Sequence, residues 1–284
     1  MFGTANRFPS NYLGIGKKLN FARAKGSRKS MNPFRNFALL FLFYWFRGVL
    51  DVVFPRSCVI TGKALEEGEL NYICEEGAKL LYCIHAASAC PRCGAFLGEN
   101  PATKNICPNC INRGNEDLQI GRSRSVVCLD SFSRPIVFSL KYWKLPSIAR
   151  DMAVLATRSR GFVEYLQDAI LVPVPLCKKR LRSRGYNQSL CLAKALAAVS
   201  SGTCVADVLE RTRDTGTQTH LDAEARRENV RGAFVAKVNF TANPKKRYIL
   251  IDDVFTTGST LSECAVALRR RGAVRVDAAT FAHG

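Results

Sequence analysis

Acidic residues are scarce in this chain and absent from its first 36 residues. The 284 residues include 42 Lys and Arg but only 23 Asp and Glu, which leaves a formal charge of +19. Residues 1–36 hold eight basic residues, so +11 remains on the rest. This balance favours phosphate-rich partners such as nucleotides, phosphosugars or nucleic acid. Residues 1–36 also lack apolar periodicity, which predicts a disordered basic tail.

Long hydrophobic runs are also missing. The longest candidate, Phe37 to Phe46, has ten residues, whereas a bilayer-spanning helix needs about 20. No small-x-small cleavage site follows it, so a secretory signal is disfavoured. Residues 37–56 are therefore predicted to form an amphipathic helix on the protein body, with a membrane-surface contact as the alternative. No stable membrane insertion is expected.

The cysteines do not suit a disulfide scaffold, because twelve of them are spread over a chain of 284 residues. Several form Cys-x-x-Cys pairs, which are typical of metal ligands in a reducing compartment, so a cytoplasmic protein is expected. Cys90, Cys93, Cys107 and Cys110 make two such pairs. Their four thiolates suit a closed, structural Zn²⁺ site. Free or redox-active thiols are the alternative.

Beyond residue 119 the pattern changes to alternating strand-like and helix-like segments. Strands are expected at Ser125–Leu129, Ile136–Leu140 and Ala169–Val174, followed later by Tyr248–Ile251 and Val274–Phe281. Helices are expected around Leu145–Thr157 and at Gln188–Val199 and Thr260–Arg270. This order predicts an α/β domain with a parallel sheet over residues 119–284, preceded by a small, loop-rich cysteine region over residues 57–118.

The run from Ile249 to Thr260 is the clearest functional motif. An apolar strand leads into Asp252 and Asp253 and then into a turn of small residues that opens a helix. The backbone amides and hydroxyls of that turn can bind one phosphate together with the positive end of the helix dipole. The two carboxylates can accept hydrogen bonds from sugar hydroxyls or hold a water of Mg²⁺. The turn residues are Thr256, Thr257, Gly258, Ser259 and Thr260.

This run is not a Walker loop, and it resembles the phosphoribosyl pyrophosphate motif of type I phosphoribosyltransferases. Three further segments are similar in order and spacing to the ComF/GntX family. They are Val172 to Gln188, Arg211 to Gln218 and Arg226 to Phe234. The resemblance implies a zinc-ribbon module followed by a type I phosphoribosyltransferase-like domain, and a link to DNA uptake in natural competence.

The resemblance also implies roles for two groups of basic residues. The first group would bind pyrophosphate, although a solvated basic helix face is the alternative. The second group would belong to a mobile catalytic loop that closes over the substrate, although an ordinary surface loop would look similar. The first group is Lys178, Lys179, Arg180, Arg182 and Arg184, and the second is Arg211, Arg213 and Gln218. Lys141 and Tyr142 match a family position of unclear role.

Related sequences usually carry two more Cys-x-x-Cys pairs upstream, and here only one cysteine of each pair remains, Cys58 and Cys74. The first half of the ribbon is therefore expected to be degenerate. Cys83 and His85 are candidates to complete a second zinc site with them.

Two functions follow as hypotheses. The chain binds phosphoribosyl pyrophosphate with Mg²⁺ and acts as a phosphoribosyltransferase, with Asp252, Asp253, Arg211 and Arg213 as catalytic residues. Alternatively, it is a non-catalytic adaptor that binds single-stranded DNA or a competence helicase, with a vestigial or regulatory phosphate site. The sequence shows no acceptor-base pocket.

Overall fold

The computed structural model describes residues 56–98, 106–112, 118–213 and 228–284. The residues from Val53 to Gly284 form one compact unit. The predicted basic tail (1–36) lies outside the described residues, and so does the predicted helix (37–56) except for Arg56. Both stay predictions. In the part of the chain that is described, no helix has the length and apolar character that crossing a membrane requires.

Short elements and turns make up the cysteine-rich region. It contains helix α1 (Glu75–Lys79), a 3-10 turn (Ala86–Ser88) and helix α2 (Pro108–Asn112). Cys83 forms an antiparallel bridge with Val127, which attaches this region to the first strand of the main sheet. The described residues of this region thus contain only short elements.

A five-stranded, wholly parallel sheet forms the centre of the α/β domain. Its strand order is β1-β7-β6-β2-β3. The strands are β1 (Ser123–Cys128), β2 (Ile170–Pro173), β3 (Cys204–Val205), β6 (Arg247–Phe255) and β7 (Arg275–His283). Parallel strands need crossover connections, and helices lie in those from β1 to β2, from β2 to β3 and from β6 to β7. A separate antiparallel pair consists of β4 (Leu209–Arg211) and β5 (Phe234–Ala236).

The sheet buries both of its faces. Alternate residues of β6 point to opposite sides, so Ile249 and Ile251 join one core cluster while Tyr248 and Leu250 join the other. The first cluster contains the apolar side chains of four helices, α3 (Arg134–Lys141), α4 (Ile148–Arg158), α5 (Phe162–Leu166) and α7 (Gln188–Val199). The second cluster contains those of α8 (Ser259–Arg269) and of the β4–β5 pair. Helix α6 (Lys178–Arg184) contributes no buried residue.

The predicted architecture is confirmed, because an α/β domain with a parallel sheet follows a small cysteine-rich module. One element was predicted wrongly, because Ile136–Leu140 belongs to helix α3 rather than to a strand. Pro135 occupies the first turn of that helix, where its missing N–H costs nothing. Ile136 and Leu140 lie four residues apart and share the buried face. The predicted boundary at residues 118–119 stays a prediction.

Candidate functional site

The acidic pair lies near the carboxyl end of β6. Asp252 pairs in register with Thr280 of β7, and the strand continues to Phe255. Asp252 is partly buried and Asp253 is buried. The predicted strand was therefore too short at its carboxyl end, since both carboxylates belong to the strand itself. A central strand of the sheet thus fixes the position of both groups.

Asp252 is held by two hydrogen bonds. The Ser189 hydroxyl donates to Asp252 Oδ1 at 3.0 Å, and the Asp253 amide donates to the same oxygen at 2.9 Å. Burial raises the pKa of Asp252 to about 7, and the charge of Asp253 adds to that rise, while Lys141 opposes it. The carboxyl group is therefore poised to change charge near neutral pH.

Asp253 forms an ion pair with Lys141. Lys141 Nζ lies 2.9 Å from Asp253 Oδ1, and the Asp253 side chain is almost fully buried. The other oxygen, Asp253 Oδ2, is buried without a hydrogen-bond partner. A buried carboxylate oxygen without a partner is costly, so its presence here favours a site that a cation or a hydroxyl group of a ligand completes.

The predicted phosphate loop connects β6 to α8. Gly258 has φ of +74° and precedes the helix, whose first residue is Ser259. The hydroxyls of Thr257 and Ser259 lie 2.9 Å apart, and Thr256 is exposed. Thr260 follows in the first turn of α8, so the five predicted residues lie together at the amino end of an eleven-residue helix. This arrangement can bind a phosphate.

Gly258 is required by local packing as well as by its backbone angle. A Cβ atom at this position would lie 2.8 Å from Leu118 Cδ2 and 2.8 Å from Phe255 Cζ. A larger residue would require the Leu118 and Phe255 side chains or the loop itself to shift, in addition to the strain at positive φ.

The predicted pyrophosphate-binding residues lie on α6, which follows β2. This helix carries Lys178, Lys179, Arg180, Arg182 and Arg184. Arg184 Nη1 donates to Gln188 Oε1 at 2.9 Å, and Gln188 precedes Ser189, which binds Asp252. The carboxyl end of α6 is therefore connected to the acidic pair through the first turn of α7.

The predicted catalytic-loop arginines lie at and just after β4. The Arg211 guanidinium packs 5.3 Å from the centre of the Phe234 ring, and Arg213 Nη2 donates to the Arg231 carbonyl at 2.6 Å. Burial raises the pKa of the Cys264 thiol well above its usual value, with Asp252 adding to the rise and Arg211 opposing it. Gln218 lies outside the described residues.

The four predicted metal ligands converge. The Sγ atoms of Cys90, Cys93, Cys107 and Cys110 lie within 4.8 Å of one another, and all four residues are buried. The Cys107 amide donates to Cys90 Sγ at 3.4 Å. Burial opposes ionisation of Cys90, but backbone hydrogen bonds from Cys107 and Cys93 lower its pKa to about 7. Four buried sulfurs in this arrangement fit a tetrahedral metal ion.

The candidate ligands of a second zinc site do not come together. Within residues 56–98, 106–112, 118–213 and 228–284, Cys58, Cys74, Cys83 and His85 do not form a metal-type group. Cys83 is bridged to Val127, and His85 Nδ1 accepts from the Arg160 amide. Cys58 and Cys74 do remain close, because the Cys74 amide donates to Cys58 Sγ at 3.3 Å.

Two parts of the site were missed by reasoning from sequence. Ser189 had no recognisable signal, since its partner Asp252 is 63 residues away. The exposed rings of Phe138, Tyr142 and Trp143 lie at the end of α3, next to Lys141. Their signal was the unusual run Leu-Lys-Tyr-Trp, whose role the sequence left open.

The combination of parallel α/β domain and four-cysteine cluster defines a two-part protein class, and similarity to known proteins identifies the family. Competence protein F of Haemophilus influenzae is 30% identical over 192 residues, which cover 67% of this chain and 83% of the relative. DNA utilization protein YhgH of Salmonella typhi is 33% identical over 190 residues, covering 61% and 81%. Competence protein ComFC of Bacillus subtilis is 27% identical over 188 residues, covering 64% and 72%. The chain belongs to the ComF family.

Other comparisons add less. No protein-family model matches the chain. A purine phosphoribosyltransferase from Pyrococcus horikoshii is similar at 17% identity and a TM-score of 0.26, covering 50% of this chain and 75% of that chain.

Proposed function

We propose that the chain binds phosphoribosyl pyrophosphate with Mg²⁺ at the carboxyl end of β6. The observation that carries this proposal is the acidic pair, with its unpartnered Asp253 Oδ2, immediately before a loop that opens α8. The loop from Thr256 to Thr260 would bind the 5-phosphate through amides and hydroxyls. Asp252 and Asp253 would accept from the ribose hydroxyls or from water on Mg²⁺.

The reaction that this arrangement supports is pentosyl transfer. The bond between the anomeric carbon and the pyrophosphate oxygen breaks, pyrophosphate leaves with the bonding electron pair, and a lone pair of the acceptor forms the new bond. Lys178, Lys179, Arg180 and Arg184 would stabilise the leaving group. When bound, Mg²⁺ neutralises part of the pyrophosphate charge. Arg211 and Arg213 would approach when the neighbouring loop closes.

Calorimetry with phosphoribosyl pyrophosphate and Mg²⁺ tests the binding step. The native chain should release or absorb heat on titration, and Asp252→Asn/Asp253→Asn should lose it. Asp207→Asn is a matched control, because it removes an exposed carboxylate paired with Lys237. Absence of heat from the native chain would exclude the ligand, whereas pyrophosphate release in a separate assay would show turnover.

A structural zinc ion is part of the proposal. The four buried cysteines suit zinc in geometry and in the softness of their ligand atoms. Such thiols remain available to metal in a reducing compartment, which supports the cytoplasm as the location.

The second candidate function is an adaptor in DNA uptake. It is supported by the names of the relatives, which refer to competence and DNA utilization, and by the net charge of +19. In this role the chain would bind single-stranded DNA or a helicase, and its affinity for DNA should fall steeply with salt. A response to salt that is flat would argue against several phosphate contacts. Both functions are compatible in one chain.

A further inference from the structure

Three aromatic side chains are exposed together at the end of α3. Phe138, Tyr142 and Trp143 are 52%, 57% and 60% exposed. The Phe138 and Tyr142 ring centres lie 4.5 Å apart, so these two rings are in contact, and Trp143 follows Tyr142 directly in the chain. Grouped exposed rings of this kind usually mark a binding surface.

Helix α6 borders these rings. It has no buried residue, although five of its seven residues are cationic. The Arg184 guanidinium lies 5.2 Å from the centre of the Tyr142 ring, which joins the helix to the rings. Because none of its residues is buried, this helix gains little from the core, while its cations repel one another. A polyanion bound across it would relieve that repulsion.

The position of this surface is fixed by contacts with the domain. The Tyr186 hydroxyl donates to the Leu140 carbonyl at 2.6 Å, which holds the end of α3 against the segment that follows α6. Lys141 lies between Phe138 and Tyr142 in the sequence, and it forms an ion pair with Asp253. The end of α3 is therefore connected to the acidic pair through Lys141 and to the segment after α6 through Leu140.

We propose that Phe138, Tyr142, Trp143 and helix α6 form a binding surface for single-stranded nucleic acid, here called the aromatic–cationic surface. Unpaired bases would stack on the rings, while α6 would contact the phosphates. Duplex DNA fits less well because its bases are already stacked inside the helix. The surface belongs to the α/β domain and not to the cysteine-rich region. The proposal rests on the second candidate function above and shares α6 with the proposed pyrophosphate site. Its aromatic part is separate, since Tyr142 and Trp143 do not belong to the phosphate loop.

Trp143 provides a direct probe. The chain has two tryptophans, Trp45 and Trp143, so the full-length Trp45→Phe variant reports on Trp143 alone. A single-stranded oligothymidylate should quench its fluorescence in a saturable way, and the matching duplex should quench it less. The Trp143→Phe variant, which keeps Trp45, is the matched control and should show weaker quenching.

Two sets of substitutions separate stacking from charge. By anisotropy with a labelled oligonucleotide, Tyr142→Ala/Trp143→Ala should weaken binding about 10- to 100-fold with little change in the salt slope. Lys178→Ala/Lys179→Ala/Arg182→Ala should reduce the slope of log affinity against log salt by about 2. Tyr82→Ala is the aromatic control, since Tyr82 is 46% exposed in the cysteine-rich region.

Several outcomes would overturn the proposal. These are equal or tighter binding of the duplex, unchanged affinity in Tyr142→Ala/Trp143→Ala, an equal loss in Tyr82→Ala, or quenching of Trp143 by phosphatidylglycerol vesicles but not by the oligonucleotide. Thermal melting and zinc content of each variant show that it has folded. Calorimetry with phosphoribosyl pyrophosphate on the Tyr142→Ala/Trp143→Ala variant tests the other site separately.

Discussion

The two halves of the cysteine-rich region, residues 56–79 and the described residues between 88 and 112, share a backbone plan but differ in their ligands. Each half has an antiparallel bridge, a glycine with positive φ, an amide-to-sulfur hydrogen bond and a short helix. The bridges are Ser57–Ala64 and Ala89–Phe96, the glycines are Gly62 and Gly94, the amide-to-sulfur bonds are Cys74–Cys58 and Cys107–Cys90, and the helices are α1 and α2.

The difference is confined to two ligand positions. Thr61 stands where the second half has Cys93, and Gly77 stands where it has Cys110. The Thr61 hydroxyl lies 3.4 Å from Cys74 Sγ, and the Gly77 amide donates to the same sulfur at 3.3 Å. Hydrogen bonds to sulfur thus remain where a full set of metal ligands is lost.

Contacts with the α/β domain hold the first half in place. Leu70 and Ile73 are buried in the core cluster that contains α4. Asp151 of α4 accepts from the amides of Asn71 and Tyr72 at distances of 2.7 to 3.0 Å. The four cysteines of the second half are buried in the core cluster that contains α8. Both halves therefore pack against the α/β domain, but only the second half keeps four sulfurs arranged for a metal ion.

The largest effect is expected from removing the metal ligands of the second half. Cys107→Ser/Cys110→Ser should lose about one zinc ion per chain and lower the thermal stability strongly, because structural zinc contributes about 10 kcal/mol or more in small zinc-binding peptides. Metal analysis and thermal melting measure both. Cys58→Ser/Cys74→Ser is the matched control and should keep its zinc. Equal zinc loss in both variants would contradict the distinction between the halves.

The converse change should restore the first site. In Thr61→Cys/Gly77→Cys, a new Cβ at position 77 lies 3.0 Å from Cys58 Sγ and 3.4 Å from Cys74 Sγ, so a small shift is needed before four sulfurs converge. The variant should bind about two zinc ions per chain. The control variant Thr61→Ser/Gly77→Ala adds no thiol and should bind about one zinc ion per chain. If both variants bound only one zinc ion, the first half would lack the geometry that a metal site requires.

A smaller effect is expected at Asp151, which anchors the first half. Asp151→Leu leaves the Asn71 and Tyr72 amides without an acceptor and should cost about 2–4 kcal/mol in the free energy of unfolding. Asp151→Asn keeps one oxygen and should cost less. Denaturant unfolding at constant zinc content is the measurement, and equal stability of the Leu variant and the native chain would contradict the anchoring role.

The contribution of Asp151 to the free energy of unfolding depends on pH. Burial raises the pKa of Asp151, while the backbone hydrogen bonds oppose the rise. Because the pKa of Asp151 is higher in the folded state, ionisation of this carboxyl group destabilises the folded state. The free energy of unfolding therefore falls as the pH rises from the ordinary pKa of 3.8 through the pKa of the folded state. The difference in the free energy of unfolding between the native chain and Asp151→Asn should therefore be larger in acid than at neutral pH.

Local patterns predicted the elements but not the contacts between them. Cysteine spacing was sufficient for the cluster of four, and the 3- and 4-residue spacing gave the helix Gln188–Val199 as observed. Ile136–Leu140 was missed because a short apolar run fits a strand or a buried helix equally well. The Lys141–Asp253 pair depends on which helix crosses the end of β6. Sheet order, which no local pattern encodes, decides that.

The smallest effect is the difference in stability between substitutions at Gly62 and Gly94, which both have positive φ. Gly62→Ala should cost about 1 kcal/mol from backbone strain alone, since a Cβ there meets nothing within 4 Å. Gly94→Ala should cost more, because its Cβ would lie 2.8 Å from the Ser123 carbonyl oxygen of β1. That contact would push the metal-binding half away from the sheet. Paired unfolding curves measure the difference, and equal losses would mean that the second half does not depend on close packing against β1.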